Sequence, residues 1–347
     1  MSSGAQQAFD WHEKTVLVTG GTGSFGRKFT EILLKEYRPR RLVVFSRDEL
    51  KQHEMSHVFP TGPDSPMRYF IGDVRDGDRL RRAMQGIDVV VHAAAMKQVP
   101  TCEYNPIEAV ATNITGARNI IEAALDVGVS RVLALSTDKA VNPANLYGAT
   151  KLVAEKLFVQ GNAYSGLGPT RFACVRYGNV IGSRGSVVPL FVKQRDQGRI
   201  TVTDPRMTRF WMTIDRGVRF VISCVERMHG GEVFVPRLPS SQIGDLVRAV
   251  APGCAVDCIG IRPGEKLHEV LISEDEARGA VRVGDMFVVK PGVPFHWGDL
   301  WQHGAALPEG FSYRSDNNPD GVTDAMMRDM VEEYVEPAAR ETGAARG

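Results

Sequence analysis

From Thr15 onward the chain alternates short apolar runs with longer stretches whose apolar positions recur at helical spacing. Thr15–Thr19, Leu42–Phe45, Arg68–Ile71, Val89–His92 and Arg131–Leu135 read as strands, and their largely apolar character is that of strands covered on both faces. Ser24–Tyr37, Asp76–Gln85, Thr115–Val127 and Leu146–Ala163 read as helices, each close to a Gly, Pro, Ser, Thr or Asp that can cap or stop it. Right-handed crossovers wind this alternation into an α/β fold of the Rossmann type, a doubly wound parallel sheet.

Beyond about Arg176 the rhythm changes. Gly and Pro become frequent, strand-like runs such as Glu232–Val235 and Met286–Val289 are short, and helical patterns such as Ile214–Met228 are irregularly spaced. The expected division is a nucleotide-binding domain over residues 10–178, with later segments returning to it, and a smaller mixed α/β substrate-binding lobe over residues 179–335.

Composition removes several function classes. With 42 Lys+Arg against 41 Asp+Glu the net charge is +1, and no basic block is long enough for a nucleic-acid arm, so nucleic acid is not an expected partner. No apolar run approaches the roughly 18 residues of a membrane span, and Met1 to Lys14 is polar, so a cytoplasmic protein without membrane contact is expected. Cys102, Cys174, Cys224, Cys254 and Cys258 are odd in number and read as free buried thiols. The spacing of Cys254 and Cys258 does not make a zinc set, and no metal is expected.

The first run leads into Thr19-Gly20-Gly21-Thr22-Gly23-Ser24-Phe25-Gly26, which places Gly20, Gly23 and Gly26 at G-x-x-G-x-x-G spacing between a strand and a helix. Glycines here permit a tight turn and let backbone N–H groups, with Ser24 and Phe25, approach a pyrophosphate at a helix N-terminus. The second strand runs into Ser46-Arg47-Asp48-Glu49-Leu50-Lys51. Arg47 and Lys51 can neutralise a ribose 2′-phosphate and point to NADP, while Asp48 keeps NAD open. Asp73 and Val74 end the third strand where adenine would lie, and the small Ala93, Ala94 and Ala95 end the fourth and would admit the cofactor. His53-Glu54-Met55-Ser56-His57 matches the zinc-protease pattern, but it follows the second strand of a nucleotide fold and reads as an exposed helix.

The fifth strand ends in Ser136-Thr137-Asp138-Lys139, and Tyr147 and Lys151 follow at i and i+4 on one helical face. An ammonium beside a phenol favours the phenolate, so Lys151 is expected to lower the pKa of Tyr147 from about 10. Such a tyrosine can take the proton of a sugar hydroxyl while the carbon below gives hydride to a nicotinamide.

These motifs resemble the extended short-chain dehydrogenase/reductase family. Ser46–Glu49, Ala95–Pro100, Ser136–Pro143, Arg176–Val180, Met207–Trp211 and Arg262–Lys266 resemble its inverting UDP-N-acetylglucosamine 4,6-dehydratases, which begin pseudaminic acid synthesis, over about Thr15 to Ile272. The resemblance implies bound NADP, a UDP-N-acetylglucosamine substrate and a homo-oligomer, a dimer or a hexamer. It further implies Thr137, Asp138, Lys139, Tyr147 and Lys151 as the catalytic set, with Asp138 as the acid at carbon 6 and Lys139 as the base at carbon 5. Lys139 must be neutral to act, so burial or the charges of Lys97 and Lys151 are expected to lower its pKa. Arg209 and Arg262 are implied at the diphosphate, Asn179 at the sugar phosphate, Val202 and Thr203 at uracil, Glu265 at the ribose and Lys97 near the sugar. A UDP-sugar 4-epimerase, which needs no base at carbon 5, and an NADP-binding regulator without turnover remain alternatives.

Overall fold

The computed structural model describes residues 9–183 and 185–344. The first half consists of β1 (Thr15–Thr19), α1 (Ser24–Ile32), β2 (Arg41–Ser46), α2 (Glu49–Val58), β3 (Met67–Ile71), α3 (Gly77–Ala83), β4 (Val89–His92), α4 (Val99–Tyr104), α5 (Pro106–Val110), α6 (Gly116–Val127), β5 (Arg131–Leu135), α7 (Leu146–Ser165) and β6 (Arg171–Val175). Then follow β7 (Asn179–Val180), α8 (Val187–Arg195), β8 (Arg199–Val202), β9 (Thr208–Met212), α9 (Ile214–Arg227), β10 (Val233–Pro236), β11 (Ser240–Gln242), α10 (Ile243–Val250) and β12 (Ala255–Cys258). The chain closes with β13 (Val270–Ile272), α11 (Glu274–Ala277), β14 (Ala280–Val283), β15 (Met286–Val289), β16 (Ala305–Ala306), β17 (Tyr313–Arg314) and α12 (Asp324–Ala344).

The main sheet has the order β16-β14-β15-β10-β6-β5-β4-β1-β2-β3, parallel from β10 through β3 and antiparallel beyond β10. This is the doubly wound α/β fold. All five residues of β1 and all four of β4 are buried, because helices cover both sheet faces. The chain runs outward from β1 through β2 and β3, then restarts at β4 on the other side of β1. The carboxyl ends of β1 and β4 therefore form the switch point where such sheets open a crevice.

Strands β10, β14, β15 and β16 extend this sheet although they lie past residue 178. Elements α8, α10 and α12 with β8 and β9 instead surround a separate core that includes Phe191, Ile200, Trp211, Leu246 and Met327. Helix starts follow local chemistry: the side chains of Asp48, Asp76, Asn145 and Thr213 accept from the backbone N–H of Lys51, Arg79, Gly148 and Arg216. The helix expected through Tyr37 keeps α geometry only to Ile32 and widens into a π turn over Leu33–Tyr37. Among the cysteines, Cys102, Cys174 and Cys224 are buried thiols as expected. Cys254 is half-buried and Cys258 exposed, because β12 pairs only with β8 in a two-stranded sheet outside the main core.

Candidate active site

A cleft of about 660 Å³ opens at the switch point. Its floor is the turn after β1. Gly20 has φ +64°, and a Cβ there would stand 2.9 Å from the Cα and N of Ala94, so both the left-handed backbone and the approach to β4 require glycine. Gly23 caps α1 without a side chain, leaving the first N–H groups of that helix toward the cleft. Gly26 does not line the cleft: a Cβ there would lie 2.3 Å from the Cα of Gly21, so its role is to seat α1 against the turn.

The walls are supplied by Ser24, Phe25, Ser46, Arg47, Lys51, Asp73, Val74, Ala93, Ala94 and Ala95, all expected from sequence at a dinucleotide. Asp48, the residue that kept NAD open, caps α2 and accepts from Lys51 Nζ at 2.5 Å. Arg47 stays 65% exposed, 3.8 Å from Asp73. The cleft also presents buried oxygens without partners among the described residues, on Thr112, Ser136, Asn179 and Ser186. A glycine-floored crevice, a helix start and unpartnered acceptors fit a dinucleotide.

The far end of the cleft gathers Thr137, Asp138, Lys139, Tyr147 and Lys151. Thr137 Oγ1 donates to Asp138 Oδ1 at 2.9 Å. Lys139 Nζ lies 3.1 Å from Asp138 Oδ1 and 3.1 Å from Glu269 Oε1. Glu269 is 2% exposed and Asp138 1% exposed, and each keeps one carboxylate oxygen unpartnered among the described residues.

This arrangement corrects two expectations. Burial does depress Lys139, but Asp138 and Glu269 outweigh it, so the ammonium is held above its ordinary range and not below it. The cation that opposes them is Arg209, and neither Lys97 nor Lys151 takes that part. Tyr147 is likewise pushed up to about 12, because burial penalises the phenolate more than Lys139 and Thr137 favour it. Lys151 Nζ donates to the Leu135 carbonyl at 2.6 Å, which positions it under the site, and its own burial lowers its pKa. Asp138 is raised by burial and by Glu269, whereas Glu269, despite burial, is lowered by Lys139, Arg209 and Lys266.

The residues implied for the sugar nucleotide divide. Lys97, its pKa lowered by burial, and Asn179 line the cleft. Val202, Thr203, Arg209, Arg262 and Glu265 do not. Val202 packs in the core of the smaller lobe, and Thr203 Oγ1 contacts the Met207 sulfur at 3.1 Å. The Arg209 guanidinium donates to the carbonyls of Thr208, Lys266 and Leu267, and Arg262 lies on the surface with Glu265 Oε1 at 3.9 Å. His53 and His57 meet edge to face on exposed α2, and no cluster of metal-ligating residues occurs among the described residues. No helix there is long and apolar enough to cross a membrane.

Ser136 and Tyr177 line the cleft from inside the quoted motifs Ser136–Pro143 and Arg176–Val180, although the sequence reading gave neither a role. Glu269 follows the Arg262–Lys266 run, but nothing local says that it reaches Lys139, 130 positions earlier.

The family of polysaccharide biosynthesis proteins matches over residues 16–291. The chain belongs to this family. A Campylobacter jejuni protein named UDP-N-acetylglucosamine 4,6-dehydratase (inverting) is 52% identical over 331 residues, covering 92% of this chain and 98% of its own. The resemblance drawn from the motifs therefore holds. A Rickettsia massiliae protein named UDP-glucose 4-epimerase is 42% identical over 283 residues, covering 79% of this chain and 82% of its own. The solved structure of Pen from Bacillus thuringiensis superposes with a TM-score of 0.85 at 38% identity, covering 94% of this chain and 99% of that one.

Proposed function

We propose that this enzyme is a hydro-lyase that dehydrates UDP-N-acetylglucosamine across carbons 5 and 6 and inverts carbon 5. The product would be UDP-2-acetamido-2,6-dideoxy-β-L-arabino-hex-4-ulose, made in the cytoplasm as the first step toward pseudaminic acid or a related surface glycan. The observation that supports this reading is the Asp138–Lys139 contact of 3.1 Å beside Thr137 and Tyr147, a carboxyl and an amine adjoining the phenol that would serve carbon 4. A 4-epimerase has no use for that pair.

Gly20, Gly23, Ser24 and the small side chains Ala93 to Ala95 would hold a dinucleotide, and the exposed Arg47 favours NADP, with Lys51 beside it ion-paired to Asp48. When bound, it supplies a hydride acceptor at carbon 4 that later returns the hydride to carbon 6. Tyr147, as its phenolate, would accept the carbon 4 hydroxyl proton, with Thr137 able to hydrogen-bond the same oxygen. Lys151 fixes the floor beneath through Leu135. Oxidation at carbon 4 acidifies the hydrogen on carbon 5; Lys139 removes it, and Asp138 protonates the departing carbon 6 hydroxyl. The raised Asp138 suits a proton donor. The lobe from residue 179 would carry the uridine diphosphate, with Arg262 and Glu265 at its surface as the groups available to it, in an enzyme that works as a homo-oligomer.

The test is the mass of the product formed from UDP-N-acetylglucosamine. Loss of one water supports dehydration, and an unchanged mass with a new axial hydroxyl supports epimerisation instead.

A further inference from the structure

An ammonium cannot accept a proton, yet the surroundings of Lys139 hold it as an ammonium. The contact that creates this difficulty also resolves it. Lys139 Nζ faces two carboxylates at 3.1 Å each, one from the same strand-end turn and one from the segment just before β13. Asp138 is the proposed acid and must begin the elimination protonated, while Lys139 must begin it neutral.

We propose that one proton, passed from Lys139 Nζ to Asp138 Oδ1, arms acid and base together, and that Glu269 is the positioning residue that keeps this proton on the pair. The inference rests on the dehydratase reading. The N–H bond of Lys139 breaks and an O–H bond forms on Asp138. The freed lone pair takes the proton from carbon 5, and the C5–H electrons become the C5–C6 double bond. The C6–O bond breaks with its electrons, and the departing oxygen takes the proton of Asp138 and leaves as water. The pair ends as it began, a carboxylate beside an ammonium, with no proton exchanged with solvent during elimination.

Glu269 stays charged throughout and holds Nζ at the same 3.1 Å as Asp138. It is built for this. Its backbone N–H donates to Ser315 Oγ at 2.9 Å, and its carbonyl accepts from the Ser315 N–H at 2.9 Å, which anchors the residue rigidly. The other charged or titratable groups facing the cluster are Arg209 from β9, whose Nε is 3.8 Å from Glu269, Lys266 from the preceding loop and Tyr147 from α7. The three cations Lys139, Arg209 and Lys266 keep Glu269 ionised, which leaves the single mobile proton between Lys139 and Asp138.

The experiment compares wild type with Glu269→Gln, which keeps the acceptor oxygen and removes the charge. Initial rates of dehydration are followed from about pH 6 to pH 10.5, with transient NADPH absorbance reading the carbon 4 oxidation. Loss of the charge makes the pair give up its proton more easily, so the alkaline fall in the variant's dehydration should move down by at least one pH unit, about tenfold in proton affinity. The oxidation transient and the KM for the UDP-sugar should stay within about threefold of wild type. Glu269→Asp retains the charge but not the reach, and should slow elimination at least about fivefold without moving the alkaline limb. If Glu269→Gln does not fold, Glu269→Asp decides, and an unchanged elimination rate overturns the inference. A Glu269→Gln profile that superposes on that of a dehydrating wild type also overturns it. A wild type that releases no dehydrated product overturns the dehydratase reading instead.

Discussion

Arg176 is fully buried at the end of β6, and its guanidinium meets two carboxylates: Glu155 on α7 at 2.8 and 2.5 Å, and Glu276 on α11 at 2.8 and 2.6 Å. It also donates to the Leu271 carbonyl of β13 at 3.0 Å, and so ties to the sheet the segment that delivers Glu269. Arg176→Met keeps the volume and removes the charge, leaving Glu155 buried without its partner and Glu276 nearly so. Breaking one side of a buried ion pair costs about 3–5 kcal/mol, because the remaining charge is uncompensated. At roughly 2 °C per kcal/mol for a chain of this size, the midpoint should fall by at least about 6 °C at pH 8.

The pH dependence has a definite sign. In wild type, burial works against the Glu276 carboxylate but Arg176 brings it below its ordinary range, so this contact adds stability above that range and loses it as pH falls. In the variant burial is opposed only by the Ser273 N–H and by Lys156, so Glu276 moves upward from its wild-type position and the stability that the Arg176 contact adds at high pH is gone. The deficit should therefore narrow between about pH 8 and pH 5. Thermal unfolding followed by circular dichroism at both pH values checks this. A deficit under about 1 kcal/mol at pH 8, or one that does not shrink at pH 5, refutes the reasoning.

Two predictions concern the chemistry. Arg47→Ala should weaken NADP about ten- to a hundredfold more than NAD in a fluorescence titration, because a charge-assisted phosphate contact is lost; equal weakening would remove Arg47 from that role. Tyr147→Phe should slow transient NADPH formation at least about a hundredfold in stopped flow, since Tyr147 is the group proposed to take the carbon 4 proton, and a near-normal transient would place that base elsewhere.

The sequence patterns located the sheet because parallel strands buried on both faces announce themselves: Val89–His92 and Arg131–Leu135 match their strands residue for residue. Strands such as β7, β16 and β17 have two residues each and exist only through their partners, so no local pattern marks them. The same division holds at the site. Glycine spacing, Tyr147 and Lys151 are set within one β-to-α unit and were legible. The charge states of Lys139 and Tyr147 were not, because the first depends on Glu269 and the second on burial of the phenol, both of which arise only when distant segments pack. Nor could spacing reveal that Arg209 donates to three backbone carbonyls of its own lobe.

The central claim is that Lys139, next to Asp138, serves carbon 5 while Tyr147 serves carbon 4. Proton NMR of the reaction in deuterium oxide, run with wild type and with Lys139→Met, tests it directly through the carbon 5 signal and its couplings. Wild type should give the L-arabino 4-keto sugar with deuterium at carbon 5, and Lys139→Met should bind both ligands yet form no dehydrated product and introduce no deuterium. Retention of configuration by wild type, or full deuterium incorporation by the variant, would contradict the account.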